Sequence, residues 1–174
     1  MTIDLNISRY YLTRPAFVPT TERHPLIKYT SPVTIRDFFI KEVEDSSIVE
    51  TGMVIALDNS KHMLGYTILS KGDHRSTLIP INLCLKFAID TVAASIIVVH
   101  NHPSGSMILS DADWKIMKSL YVAAKMIHSE LLDFIIISGT TNNLISMQEK
   151  GTFNVMRRNY ERNINKVIGF NTLQ

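Results

Sequence analysis

Two histidines separated by a single residue are the part of this sequence whose residue types and spacing best suit chemistry. His100 and His102 follow residues 95–99, a continuous and mostly β-branched apolar run that is typical of a strand buried on both faces. Alternate residues of a strand point to the same face, so both imidazoles can converge on one ion. Asp113, eleven residues after His102, can return to the pair through the connecting loop. Two nitrogens and one oxygen leave a fourth tetrahedral position for water, as expected of catalytic zinc, although these ligand types also allow iron or manganese.

A simpler explanation exists for part of this pattern. Ser110 and Asp113 have the spacing of a capping box, in which a serine caps the start of a helix and the residue three positions later bonds back to it. The two histidines could likewise mark a polar exit from the strand. Capping does not explain why two histidines leave a buried strand on one face just upstream, and a capping carboxylate can also bind a metal.

The surrounding elements predict an α/β fold built on a mixed sheet. Apolar runs predict strands at residues 53–57, 63–69, 95–99, 135–137 and 144–147. Helices are predicted to begin at residues 31, 81 and 110. The second helix has an apolar stripe at helical spacing, formed by Ile81, Cys84, Leu85, Ala88, Ile89 and Val92. After the first helix, the order strand–strand–helix–strand–helix–strand–strand is typical of a sandwich of helices around a mixed sheet.

The length and composition fit one globular domain. The chain has 174 residues, 45% of them apolar and 20% charged, and a formal net charge of +2. So small a charge does not indicate a nucleic-acid or membrane binder. Cys84 is the single cysteine, which excludes an intrachain disulfide, a zinc site of several thiolates and the Pro-Cys-x-x-Cys site of zinc nucleobase deaminases. No apolar run approaches the ~20 residues of a membrane helix, and no signal peptide is visible, so we expect a cytoplasmic protein without membrane contact.

The two ends of the chain differ from its middle. Residues 1–30 contain Pro15, Pro19 and Pro25 and are predicted to form an irregular arm, because prolines break any helix that starts there. Residues 31–153 are predicted to form the domain and residues 154–174 a basic tail. The charged residues of this tail are Arg157, Arg158, Glu161, Arg162 and Lys166. They form either a solvated helix face or a contact for an acidic partner or nucleic acid.

Taken in order, the site residues resemble a known motif. His100-x-His102, seven residues, Ser110, two residues and Asp113 match the JAMM motif of the JAB/MPN (MPN+) metallopeptidases without insertion or deletion. Residues 100–105, His-Asn-His-Pro-Ser-Gly, resemble the RadC branch of that family, as do residues 131–133. The resemblance covers about residues 31–153. It implies a three-layer α/β sandwich around a mixed β-sheet, the JAB/MPN (cytidine-deaminase-like) domain.

The resemblance also implies a role for each site residue. One zinc ion would be held by His100, His102 and Asp113. Glu50, just before the first strand of the predicted hairpin, would be the general base, and Ser110 would donate a hydrogen bond to the oxyanion. The reaction implied is hydrolysis of a peptide or isopeptide amide bond by metal-activated water, with a protein or peptide as substrate.

The sequence departs from the RadC pattern at three places. Phe134 stands where the family usually has His, Leu109 where it usually has Pro, and residues 81–82, Ile-Asn, where it usually has Arg-Glu. None of these is a motif ligand, so the implied metal site is kept, whereas a role served by that histidine is not implied for this chain. The alternative function is a RadC-like accessory protein in DNA repair or recombination, or of a mobile element, with little or no peptidase activity.

Overall fold

A five-stranded sheet with helices on both sides makes up the described part of the chain. The computed structural model describes residues 27–44, 46–72 and 79–168, with side chains as far as residue 162. The helices are α1 (Pro32–Glu42), α2 (Ile81–Asp90), α3 (Asp111–Met126) and α4 (Thr152–Ile168). The strands are β1 (Thr51–Leu57), β2 (Met63–Lys71), β3 (Ser95–His102), β4 (Glu130–Ser138) and β5 (Leu144–Ser146). None of the helices in these ranges combines the length and the hydropathy that a membrane span requires.

β3 occupies the middle of the sheet, whose strand order is β2-β1-β3-β4-β5. It pairs antiparallel with β1 and parallel with β4, and α3 supplies the crossover that a parallel pair needs. Because β3 has a strand on each side and helices over each face, it is buried from Ser95 to Asn101. The strand predicted at residues 95–99 is therefore confirmed, and it continues to His102.

Alternate residues of the strands supply two separate cores. One buried cluster joins the sheet to α1 and includes Ile35, Phe39, Met53, Ile97 and Ile135. The other joins the opposite face to α2, α3 and α4 and includes Val54, Cys84, Val98, Met117 and Phe153. Helices thus cover both faces of the mixed sheet, and the predicted three-layer sandwich is confirmed.

Cys84 lies on the buried side of α2, as its place in the predicted apolar stripe indicates. Burial raises the pKa of this thiol to about 12. The thiol therefore stays protonated near neutral pH and is a poor nucleophile.

The apolar stripe predicted for α2 is right for only part of its length. Cys84 and Ala88 are buried, whereas Ile89 is 57% exposed and Val92 is 84% exposed. After Asp90 the chain reverses in a Schellman arrangement, in which the amide of Ala93 donates to the carbonyl of Ala88 at 2.9 Å. Val92 takes the positive φ of this turn, +51°. The Val92 side chain therefore leaves the helical stripe. The prediction of burial is wrong for Val92 and also for Ile89, which is exposed within the helix.

The predicted arm and tail lie at the ends of the described residues. Residues 1–26 of the arm are outside them. The amide of Tyr29 donates to the carbonyl of Lys61 and the amide of Met63 to that of Ile27, both at 2.8 Å, so the chain pairs here beside the turn between β1 and β2. α4 contains most of the predicted tail, and Tyr160 packs against the core. The exposed cations of α4 are Arg157, Arg158 and Arg162, and the side chain of Lys166 lies outside the described part.

Candidate metal centre

The end of β3 brings the two histidine rings together. His100 and His102 alternate with Val98, which belongs to the core beneath α2 and α3, so both rings point toward that helical layer. Their Nε2 atoms lie 3.0 Å apart. The ring of His100 is 1% exposed, because β1 and β4 flank it at Gly52 and Ile136. The two histidines therefore lie at the end of the central strand, which is paired with a neighbour on each side.

Asp113 reaches the histidines from the first turn of α3. The predicted capping box is confirmed, since the Asp113 amide donates to the Ser110 hydroxyl oxygen at 3.1 Å and the Asp113 carboxylate accepts from the Ser110 amide at 2.8 Å. The Ser110 hydroxyl also donates to Asp113 Oδ2 at 2.6 Å. Asp113 Oδ1 lies 3.2 Å from His100 Nε2, and Oδ2 lies 3.8 Å from His102 Nε2. One carboxylate thus both caps the helix and faces the histidine pair.

The surroundings of Asp113 favour its ionised form. Burial by itself would raise the pKa of this carboxyl. Hydrogen bonding and charge attraction from His100, together with the hydrogen bonds from Ser110, outweigh burial and lower the pKa well below its ordinary value. Asp113 is therefore an anion across the physiological range, as a metal ligand must be.

Glu50 lies beside the two histidines, next to the start of β1. It directly precedes β1, and its backbone carbonyl accepts a hydrogen bond from Gly72 at 2.9 Å. One ligand atom from each of Glu50, His100 and His102 lies within 4.8 Å of the other two. The structure thus brings together the five residues singled out from the sequence, with Ser110 attached through Asp113. At this distance the Glu50 carboxylate can either coordinate an ion directly or reach it through a water molecule.

The second nitrogen of each ring has a different environment. His102 Nδ1 lies 2.8 Å from the carbonyl of Ser106. A carbonyl only accepts, so Nδ1 carries the proton and the lone pair of Nε2 is left for an ion. His100 Nδ1 is buried and has no hydrogen-bond partner within the described ranges. The His100 ring instead packs edge-on against Phe134, at 5.4 Å between ring centroids, so apolar packing supports the ring where its Nε2 contacts do not.

The spacing of these donor atoms suits one small ion. Zinc bonds of about 2.0–2.1 Å at tetrahedral angles place ligand atoms roughly 3.3 Å apart. His100 Nε2 lies 3.0 Å from His102 Nε2 and 3.2 Å from Asp113 Oδ1, and the other oxygen of this carboxylate, Oδ2, lies 3.8 Å from His102 Nε2. Two neutral imidazole nitrogens and an anionic oxygen are also a donor set that zinc accepts. The residues present therefore fit the metal that the sequence motif implies.

Two residues near the site were not identified from the sequence. Asn101 is completely buried and its carboxamide binds the segment that carries Glu50, while Gly139 packs directly on the backbone after His102. The signal for Asn101 is a polar side chain in a strand buried on both faces, because such a group requires hydrogen-bond partners. No local pattern in the sequence marks Gly139.

A mixed sheet between helical layers, with imidazoles and carboxylates converging at the end of its central strand, defines an α/β domain with a site that could hold a metal ion. The family model described as the RadC-like JAB domain matches residues 29–152. The chain therefore belongs to the RadC-like JAB domain family.

The chain is also similar to several proteins named UPF0758. The chain is 34% identical over 118 residues to the UPF0758 protein of Finegoldia magna (strain ATCC 29328 / DSM 20472 / WAL 2508), covering 68% of this chain and 52% of that protein. It is 33% identical over 121 residues to the one of Pseudomonas fluorescens (strain SBW25), covering 70% and 53%. For Shewanella baltica (strain OS185) the identity is 30% over 125 residues, covering 72% and 54%. The chain thus spans about half the length of these relatives.

Proposed function

We propose that this chain is a zinc-dependent hydrolase of the JAMM type that cleaves a peptide or isopeptide amide bond. The observation that carries the proposal is the convergence of His100, His102 and Asp113 on one point, with the Glu50 carboxylate beside the two rings. A structural polar cluster has no need of two imidazoles that face each other through Nε2 and of a second acid beside them. The membership of the chain in the RadC-like JAB domain family supports the same conclusion.

Three side chains would hold the ion, each through an identified atom. His100 and His102 would bind through Nε2, and Asp113 through Oδ1, since the two capping donors of Ser110 already use its Oδ2. The bound zinc would supply a water molecule acidified toward a pKa of about 7. The lowered pKa of Asp113 keeps its carboxylate available at that pH.

Glu50 would move the proton in this reaction. Its carboxylate takes a proton from the attacking water and delivers it to the nitrogen of the leaving amine, so that an amine rather than an amide anion departs. The C–N bond breaks as that nitrogen is protonated, and the acyl carbon keeps the water oxygen. A base in this position typically contributes ~10²–10⁴-fold to the rate.

Ser110 would stabilise the developing oxyanion. The residue is exposed at the edge of the site, and its hydroxyl donates to Asp113 Oδ2. A hydroxyl proton rotates freely about the Cβ–Oγ bond, so the same group can turn to a substrate oxygen. Its amide hydrogen bond to Asp113 remains in place during that rotation.

The test is metal content together with hydrolysis. The purified chain and its Asp113→Ala variant are analysed for zinc, and both are assayed on a library of fluorogenic peptides and ε-linked isopeptides. We expect about one zinc per chain for the parent protein, cleavage that a chelator stops and zinc restores, and neither property in the variant. A parent protein that folds but binds no zinc would refute the proposal.

The exposed cations of α4 support a second candidate, the RadC-like accessory protein that acts on DNA. Arg157, Arg158 and Arg162 all lie on the surface, where they can contact phosphates. A DNA mobility shift that weakens with salt, disappears when these three residues are changed to Gln and is unaffected by Glu50→Gln would favour this candidate. Cleavage without any DNA binding would favour the hydrolase.

We further propose a cytoplasmic location for this activity. The sequence has one cysteine, and its thiol is buried and protonated. A chain of this kind requires no oxidising compartment to fold. Fractionation of cells that express the tagged protein tests this location.

A further inference from the structure

Asn101 lies between the two histidines in the sequence, but its side chain serves the opposite face of β3. It alternates with Ile97 and Val99, which belong to the core against α1, and it is completely buried. Its Oδ1 accepts the backbone N–H of Thr51 at 2.7 Å. Its Nδ2 donates to the carbonyl of Val49 at 2.9 Å and to the carbonyl of Ser46. One carboxamide thus binds residues 46–51 through three hydrogen bonds.

These bonds enclose Glu50. The carbonyl of Val49 and the amide of Thr51 are the backbone groups on either side of it, and both bind the same carboxamide. Asn101 is also the direct neighbour of both histidines on the strand. The β1–β3 pairing reaches only Gly52 and His100, and beyond it the Asn101 side chain ties the backbone on both sides of Glu50 to the strand end that carries the imidazoles.

Gly139 gives the same segment a second contact with the strand end. Its amide donates to the carbonyl of His102 at 2.9 Å. A Cβ atom at this position would lie 2.8 Å from the Cα of Pro103, 3.0 Å from the carbonyl oxygen of Ser46 and 3.1 Å from that of His102. Three stretches of backbone meet here with no room for a side chain, so a methyl group would force the Ser46 carbonyl away from Pro103 while residue 101 is still asparagine.

We infer that Asn101 is a positioning residue that holds Glu50 at the histidine pair. The inference rests on the proposed function, in which Glu50 moves protons. Asparagine is suited to this task because its head group offers two donors and an acceptor in one plane. Aspartate has the same shape but no hydrogen for the carbonyls of Ser46 and Val49, so it would repel both.

The first test measures amide hydrogen exchange in the full chain without metal or substrate. In Asn101→Asp we expect the Thr51 amide to exchange at least about tenfold faster, because local opening of the segment becomes easier, while the amides of Val54 and Ile97 keep their rates. Asn154→Asp, the same change at an exposed position of α4, is the control and should alter none of them. An unchanged Thr51 rate, or a uniform acceleration throughout β1 and β3, would overturn the inference.

Two further variants keep this test decisive if Asn101→Asp does not fold. Asn101→Ser shortens the side chain, so it removes the hydrogen bond from Thr51 as well as the two to the carbonyls of Ser46 and Val49, and it adds no charge. Gly139→Ala displaces the segment by contact alone, and it should accelerate exchange across residues 46–51 although Asn101 is intact. Wild-type exchange in both variants would overturn the inference.

The second test is a double-mutant cycle on zinc affinity, measured by competition with a chromophoric chelator. Groups that act on a metal site from outside its ligand set commonly change affinity by about 10–100-fold. We expect Asn101→Asp and Glu50→Gln each to lower the affinity about tenfold, and the double variant to match Glu50→Gln alone. Effects that multiply would show that Asn101 acts independently of Glu50 and would overturn the inference. If the parent chain binds no zinc, the proposed hydrolase fails, whereas the exchange experiment still decides whether Asn101 holds the segment.

Discussion

Two buried aspartates on opposite faces of the sheet show how differently the same side chain can be held. Asp133 of β4 is completely buried and surrounded by neutral donors. The hydroxyl of Ser146 donates to it at 2.6 Å, and the amides of Phe134 and Gln148 donate at 2.7 and 3.0 Å. Asp113 of α3 is 7% exposed, and besides its capping donors it faces two imidazole nitrogens.

The pKa values of these two carboxyls shift in opposite directions. Burial raises the pKa of Asp133 above its ordinary value, and the hydrogen bonds it accepts only partly offset this. At Asp113 burial acts in the same direction, but His100 and Ser110 reverse the result. Amide and hydroxyl groups bond to the oxygens of Asp133, whereas imidazole nitrogens lie 3.2 and 3.8 Å from the oxygens of Asp113. An imidazole nitrogen can exchange its proton for a metal ion, which an amide nitrogen does not do. This difference distinguishes a carboxylate suited to metal binding from a structural one.

Replacing each of the two aspartates with an uncharged residue should give the largest contrast. We expect Asp113→Ala to reduce zinc affinity at least about 100-fold and to bring hydrolysis to background, because a charged ligand is lost. Asp133→Asn should keep zinc at the parent stoichiometry, since its network lies on the other face. Metal analysis after gel filtration checks both. Zinc lost equally from the two variants would remove the proposed distinction.

Glu50→Gln separates the effect on turnover from the effect on zinc binding at the site that contains Asp113. The amide keeps the shape of the side chain but cannot take a proton at neutral pH, so turnover should fall ~10²–10⁴-fold. Zinc should remain near one equivalent at micromolar protein, since none of the three proposed ligands has changed. Rates on the best library substrate are measured beside metal content. Loss of the metal in this variant would instead identify Glu50 as a ligand.

Each aspartate has a serine whose hydroxyl donates to it at 2.6 Å, which provides a matched pair of variants. Ser110→Ala should lower stability by about 1 kcal/mol through the lost helix cap and zinc affinity by about tenfold, because Asp113 is less firmly held. Ser146→Ala should also lower stability by about 1 kcal/mol but leave zinc affinity unchanged. Urea unfolding and chelator competition give the two quantities. A similar zinc effect in both would contradict the comparison.

The smallest expected effect is an opposite pH dependence of stability in the metal-free chain. The folded pKa of Asp113 is lowered, so its stabilisation is complete above the unfolded value of about 3.9 and is lost as the pH falls toward the folded value. The folded pKa of Asp133 is raised, so its contribution is complete below about 3.9 and is lost as the pH rises through the folded value. The stability lost in Asp113→Asn should therefore grow with rising pH, and that lost in Asp133→Asn should shrink. Urea unfolding from about pH 3 to pH 6 tests this, and slopes of the same sign would contradict it.

The sequence predicted the succession of strands and helices along the chain and the arrangement of the histidines, because both depend on short-range periodicity. A buried β-branched run followed by His-x-His puts two rings on one face whatever the rest of the fold. The Asp133 network could not be predicted in this way, since Tyr29 lies 104 residues away from it. The end of α2 failed for a local reason, because a Schellman turn with Val92 in place of the usual glycine has no compositional signal.

The protonated, buried thiol of α2 has a practical consequence for metal titrations and for labelling of this protein. With a pKa of about 12, Cys84 offers no thiolate to compete for zinc or cobalt during a titration. Maleimide dyes and spin labels should likewise pass it by in the folded protein. A cysteine introduced on the surface would then be the sole reactive position, so distance measurements across the two faces can begin from the native sequence without first removing a residue.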